Sequence, residues 1–130
     1  MANPNIVNIT SLYGNITYLT PSVTTSVVLL TNATGSNSVM KINKITATNT
    51  DTASVNASVG IYSNGSIAQG SAPSGGTQYL IASTLPITTS STLSIIGKDS
   101  SFYLTEGNCI VITSSTSNKL DFVISYELIS

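Results

Sequence analysis

The sequence predicts an all-β protein: an antiparallel β-sandwich or jelly-roll-like single domain with an extended N-terminal arm. Three observations lead there. Roughly a third of the 130 residues are Ser or Thr, whose short hydroxyls bond competing backbone groups and weaken helices, while Thr and the many Val and Ile suit strands. Short apolar runs alternate with polar residues at the period of a strand buried on one face, and no window sustains apolar spacing of three and four. Turn residues separate these runs at intervals of roughly ten residues, the spacing of a sandwich in which two one-sided sheets bury their apolar faces against each other.

In chain order, Ile6 to Thr10 and Ile16 to Leu19 predict two short extended segments bent at Tyr13-Gly14, and Ser26 to Leu30 a third. Asn32 to Ser38 is rich in turn residues and separates the opening arm and first strands, residues 1–37, from the sandwich body, residues 38–130. In the next strand Met40 and Ile42 share one parity while Ile45 and Ala47 share the other, so a bulge is expected at Asn43-Lys44. A turn at Asn49 to Thr52 leads to Val55, Ala57, Val59 and Ile61, strictly alternating and closed by Ser63-Asn64-Gly65. Gly70 to Gly76 reads as an exposed loop. Strands follow at Tyr79 to Ser83, Leu93 to Ile96, Phe102 to Leu104 and Cys109 to Thr113, the last two joined by a tight turn at Gly107-Asn108. The clearest alternation comes last: Leu120, Phe122, Ile124, Tyr126 and Leu128 against Asp121, Val123, Ser125 and Glu127.

Composition removes several function classes. Charged residues are 7% of the chain and the formal net charge is -1, so hydroxyls and amides supply solubility and little self-repulsion opposes packing against copies or partners. The four basic residues are the scattered lysines Lys41, Lys44, Lys98 and Lys119, with no arginine, which argues against nucleic acid as a partner. The longest aliphatic cluster, Val27 to Leu30, is far too short to span a bilayer, and no basic n-region precedes an apolar h-region; neither membrane insertion nor signal-directed export is expected.

The same reading expects no enzyme, cofactor or metal. Nucleophilic catalysis by a hydroxyl normally needs an imidazole, and the chain has no histidine. Asp121 and Glu127 share a strand face but lie about 20 Å apart, too far to act as a glycosidase pair. Asp51, Asp99 and Glu106 sit at turns, where a calcium site would have to gather them with carbonyl oxygens. Cys109 is the lone cysteine, so no intrachain disulfide forms; without a neighbouring cation it reads as a small buried side chain. The six tyrosines are spread over separate strands as core-edge or interface residues. Five Asn-X-Ser/Thr tripeptides begin at Asn8, Asn15, Asn32, Asn56 and Asn64, about the number that this Ser/Thr background produces by chance.

The blocks "MANPNIVNITSLYGN", "VMKINKITATNTDTASVNASVGIYSNG" and "SFYLTEGNCIVITSSTSNKLDFVISYELIS" together resemble small virion structural proteins of tailed phages of marine bacteria, cyanophages especially. The resemblance runs over most of the chain in order; it carries strand patterns and no catalytic motif, and "SIAQGSAPSGGTQ" departs from it as a surface loop. It implies a β-sandwich virion protein, made in the host cytoplasm and released by lysis without a signal. The expectation is a capsid decoration (cement) protein that forms homo-oligomers, a trimer by preference, and binds the major capsid protein or another virion protein. A tail-tube, fibre or baseplate accessory is the alternative within that class, and a carbohydrate-binding adhesin the alternative outside it. The expected contact surface is the arm, through Asn5, Ile6, Val7, Ile9, Leu12, Tyr13, Ile16 and Tyr18, which would add a strand to a neighbour through main-chain hydrogen bonds.

Overall fold

A computed structural model describes residues 8–130, and its core is a two-sheet sandwich of nine strands. They are β1 (Leu12–Leu19), β2 (Val27–Asn32), β3 (Val39–Asn49), β4 (Val55–Tyr62), β5 (Gln78–Ile87), β6 (Thr92–Ile96), β7 (Phe102–Leu104), β8 (Asn108–Ser114) and β9 (Leu120–Ile129). One sheet has the order β1-β9-β3-β6, with β7 also paired to β3; the other has the order β2-β8-β4-β5. Every pairing is antiparallel. Only β4–β5 and β6–β7 are successive strands that remain in one sheet, so the chain otherwise crosses between layers at each connection, and the result is a jelly roll.

Local alternation explains which face of each strand is buried. In β4 Val55, Ala57 and Val59 point inward, and in β9 Leu120, Phe122 and Ile124 do so, while Tyr126 and Leu128 pack partly buried on the same core. In β3, Met40 and Ile42 face the core, the register to β9 shifts between Ile42 and Lys44, and Ile45 and Ala47 then face inward. This is the bulge that the change of parity predicts: one extra residue lets both apolar pairs reach the same layer. Central β8 is buried on both sides, with Ile110 and Ile112 in the main core and Cys109 and Val111 packed with Val28 and Tyr62 in a second cluster.

Two expectations about the first third of the chain change. No bend interrupts Tyr13-Gly14; β1 runs through both with an unbroken register to β9, from Leu12↔Ile129 to Leu19↔Phe122. A detached arm is thus replaced, over residues 12–19, by an edge strand of the chain's own sheet, because Leu19 has an apolar layer to join within this molecule. The stretch Asn32 to Ser38, soft in sequence, is pinned from inside. Asn32 is fully buried; its Nδ2 donates to the carbonyls of Ser38 (3.0 Å) and Leu104 (2.9 Å), and its Oδ1 accepts from Ser36 Oγ (2.6 Å). Asn49 does the same at the other end of β3, donating to Ala53 and Ile87 and accepting the Asp51 amide.

Candidate interaction surface

A sandwich of two sheets has four lateral edges, and their protection differs. β2 is covered by the loop that follows β4: Val28 N–H donates to Ser71, Val28 carbonyl accepts from Gly70, and Gln69 reaches the Leu29 carbonyl. β5 carries Pro86, register shifts against β4, and Thr84 in the left-handed region at φ 47°. The fourth position in the first sheet is shared by two short strands, β6 and β7, separated by a 3-10 turn at Lys98–Ser100. Bulges, prolines and short strands are the devices by which edges are kept from pairing with other chains. β1 has none of them: it is eight residues long, regular in register, and free of Pro and charge.

Alternation of hydrogen bonding identifies which groups on β1 are open. Ser11 and Ser130 exchange both backbone bonds, so Tyr13, Asn15, Thr17 and Leu19 are the residues bonded to β9, and Leu12, Gly14, Ile16 and Tyr18 turn their N–H and C=O groups outward. The Tyr18 carbonyl confirms the phase by accepting from Gln69 Nε2 at 3.3 Å. The same four residues project from the outer face of the sheet, where Leu12, Ile16 and Tyr18 are 50%, 63% and 68% exposed. Tyr13, of the opposite parity, is also exposed, and Ile9 is half-buried just before the strand. Asn5, Ile6 and Val7 lie outside the described residues.

The outer face of this sheet also gathers charge that looked scattered in sequence. Lys41 and Lys44 flank the β3 bulge and Lys98 follows β6; with Asn43, Ser125 and Glu127 they line a hollow of about 440 Å³. Glu127 accepts from Asn43 Nδ2 at 3.1 Å. Among the described residues the one ion pair joins the fourth lysine, Lys119, to Asp51 at 4.0 Å, so the three ammonium groups of the hollow are unpaired. Beside it a smaller depression is lined by Ile16, Lys44, Thr46, Val123 and Ser125, which joins the basic hollow to the open edge. Sequence reading missed this convergence because Lys98 meets Lys41 and Lys44 only through the β3–β6 register.

Chemistry-bearing residues elsewhere stay apart. Asp51, Asp99 and Glu106 belong to three different turns, and no three His, Cys, Asp or Glu side chains among the described residues are grouped for a metal. Cys109 is buried with its Sγ 3.3 Å from the Asn64 carbonyl, and burial pushes its thiol up to about 11. Burial likewise raises the Tyr126 phenol. Of the acceptor tripeptides, Asn32 is fully enclosed, whereas Asn8, Asn15 and Asn56 are exposed. Among the described residues no helix is long and apolar enough to cross a membrane.

No family model and no curated protein matches the chain. Among solved structures it is similar to a chain from the crystal structure of the T13 IBDV viral particle, at 9% identity and a TM-score of 0.42, over 93% of this chain and 31% of that one. A likeness of that size says nothing about activity or partners. None of these comparisons supports the phage type expected from the three sequence blocks.

Proposed function

We propose that the chain is a non-enzymatic structural protein of a phage virion, a decoration protein that associates with copies of itself and seats on the capsid exterior against the major capsid protein. The observation that carries this reading is the outer face of the β1-β9-β3-β6 sheet, where a regular edge strand adjoins three lysines that make no ion pair among the described residues, in a chain that is otherwise nearly uncharged. The edge offers main-chain hydrogen bonds and apolar side chains to protein; the lysines favour an acidic protein surface and steer its approach. Jelly rolls serve in viral capsids and in lectins alike, so the fold by itself selects neither. The virion assignment draws on the sequence resemblance.

The test is to mix the purified chain with empty capsids of the encoding phage and locate its density by cryo-electron microscopy. Decoration requires many copies at repeating lattice positions. Density confined to the tail would move the protein to a tube, fibre or baseplate role, and failure to bind any part of the particle would end the virion reading. The mass of the purified chain in solution checks self-association, with the trimer expected from sequence as one outcome.

A further inference from the structure

We infer that two copies of this chain pair through β1, antiparallel and about a two-fold axis at Asn15, so that their sheets join into one continuous sheet. The inference deepens the self-association in the proposed function and does not need the virion assignment. Among the described residues, β1 is the edge without a bulge, a proline or an interruption, touched by the loop after β4 only where Gln69 Nε2 reaches Thr17 Oγ1 (3.0 Å) and the Tyr18 carbonyl (3.3 Å) at its C-terminal end, and such an edge is a template for another strand.

A second copy fits this edge better than an arbitrary strand because β1 is complementary to itself. Joining like faces of two sheets requires residues of the same parity to lie opposite, and the backbone groups that point away from β9 are those of Leu12, Gly14, Ile16 and Tyr18. With the axis at Asn15, Leu12 lies opposite the partner's Tyr18 and Gly14 opposite the partner's Ile16, so all four outward-facing residues are used in both copies. Shifting the axis to Ile16 would leave Leu12 without a partner. The pairing also sets the most exposed aliphatic side chain over the smallest residue: a Cβ built on Gly14 meets nothing within 4 Å, so the space above it is open to Ile16 of the partner subunit.

Charge does not oppose the contact. β1 contains no ionisable side chain except its two tyrosines, and the chain carries a net charge of -1. The Tyr18 carbonyl already receives Gln69 at 3.3 Å, but a carbonyl has two lone pairs and can accept a second donor. A two-fold axis normal to the sheet leaves both outer faces on one side. The two lysine hollows would then lie side by side, presenting one basic surface to a shared partner.

Position-specific cross-linking tests the register. At a non-hydrogen-bonded antiparallel pair the Cα atoms approach to about 4.5 Å, inside the roughly 4.4–6.8 Å that a disulfide spans, so Asn15→Cys is expected to form a covalent dimer under mild oxidation. Tyr13→Cys would sit about 13 Å from its own copy, four residues out of step, and is expected not to cross-link. The unmodified chain should run at twice 13.4 kDa in sedimentation, and Ile16→Lys, at an exposed position, should run as a folded monomer with an unchanged circular dichroism spectrum. A monomeric unmodified chain at all concentrations would overturn the pairing, as would equal cross-linking at positions 13 and 15. A larger oligomer indifferent to Ile16→Lys would also overturn it while leaving self-association standing. A dimer that shows these cross-links but ignores capsids would keep the pairing and remove the virion role.

Discussion

Replacing Asn32 by alanine measures how much the jelly roll depends on one enclosed amide. Its Nδ2 serves the carbonyls of Ser38 and Leu104 at 3.0 and 2.9 Å, tying the β2–β3 turn to β7. Truncation leaves both oxygens short of a donor, and an unsatisfied buried polar group costs about 1–3 kcal/mol. Ser38, at the rim of the turn and 9% exposed, can recover part of its loss from water, as can the Ser36 hydroxyl. The expected cost is therefore about 2–4 kcal/mol, a large share of the roughly 5–15 kcal/mol that holds a domain together. Urea unfolding should show a lower midpoint at unchanged slope. Asn32→Asp adds a sign test. A carboxylate facing two carbonyl oxygens is both desolvated and repelled, which raises its folded pKa above the unfolded value of about 3.9. That variant is relatively best below the unfolded pKa, where its protonated form can donate one bond, and loses stability as pH rises through the folded pKa. It should be closer to the unmodified chain at pH 4 than at pH 7. Asn56→Ala, exposed and in the same kind of tripeptide, should change stability by no more than about 0.5 kcal/mol. An Asn32→Ala cost no larger than that of Asn56→Ala would refute the reasoning.

Three further outcomes are expected. Cys109 should resist thiol reagents at pH 8 in the folded chain and react at once in denaturant; because burial lifts its pKa from 9.0 to about 11, stability should be complete below pH 9 and decline as pH climbs toward 11, less so in Cys109→Ala. Phe122→Ala, which empties the largest fully buried site, should cost about 3–5 kcal/mol by chemical denaturation, and a loss below 1 kcal/mol would mean the layers collapse around it. Lys44→Glu should weaken capsid binding and flatten its salt dependence without altering the melting temperature, since Lys44 makes no ion pair among the described residues; unchanged binding would remove the basic hollow from the proposed contact.

Much of the fold was legible in the chain because strand faces are set locally. Period-two alternation placed β4 and β9, the parity change at Asn43-Lys44 placed the bulge, and Gly107, at φ 80°, ends the β7–β8 turn where it was expected. The candidate site was legible only in part. The apolar run in sequence points to Leu12, Ile16 and Tyr18 as contact residues, but the open groups beside them follow from pairing with β9, more than a hundred residues away.

By itself, the sequence determined a nearly uncharged all-β chain without histidine, whose alternating runs mark strands without giving their order in the sheets. Tertiary structure decided which edge stays open and which lysines meet, and it gave local signals a second meaning. Gly65, a turn signal in sequence, is required because a Cβ there would lie 2.4 Å from the Asn32 carbonyl oxygen; Asn32, an acceptor tripeptide in sequence, is a sealed clamp. The physical reason is range. Alternation and turn preference act between near neighbours, whereas edge exposure, charge convergence and the enclosure of an amide depend on strands brought together from distant parts of the chain, as β1 and β9 are.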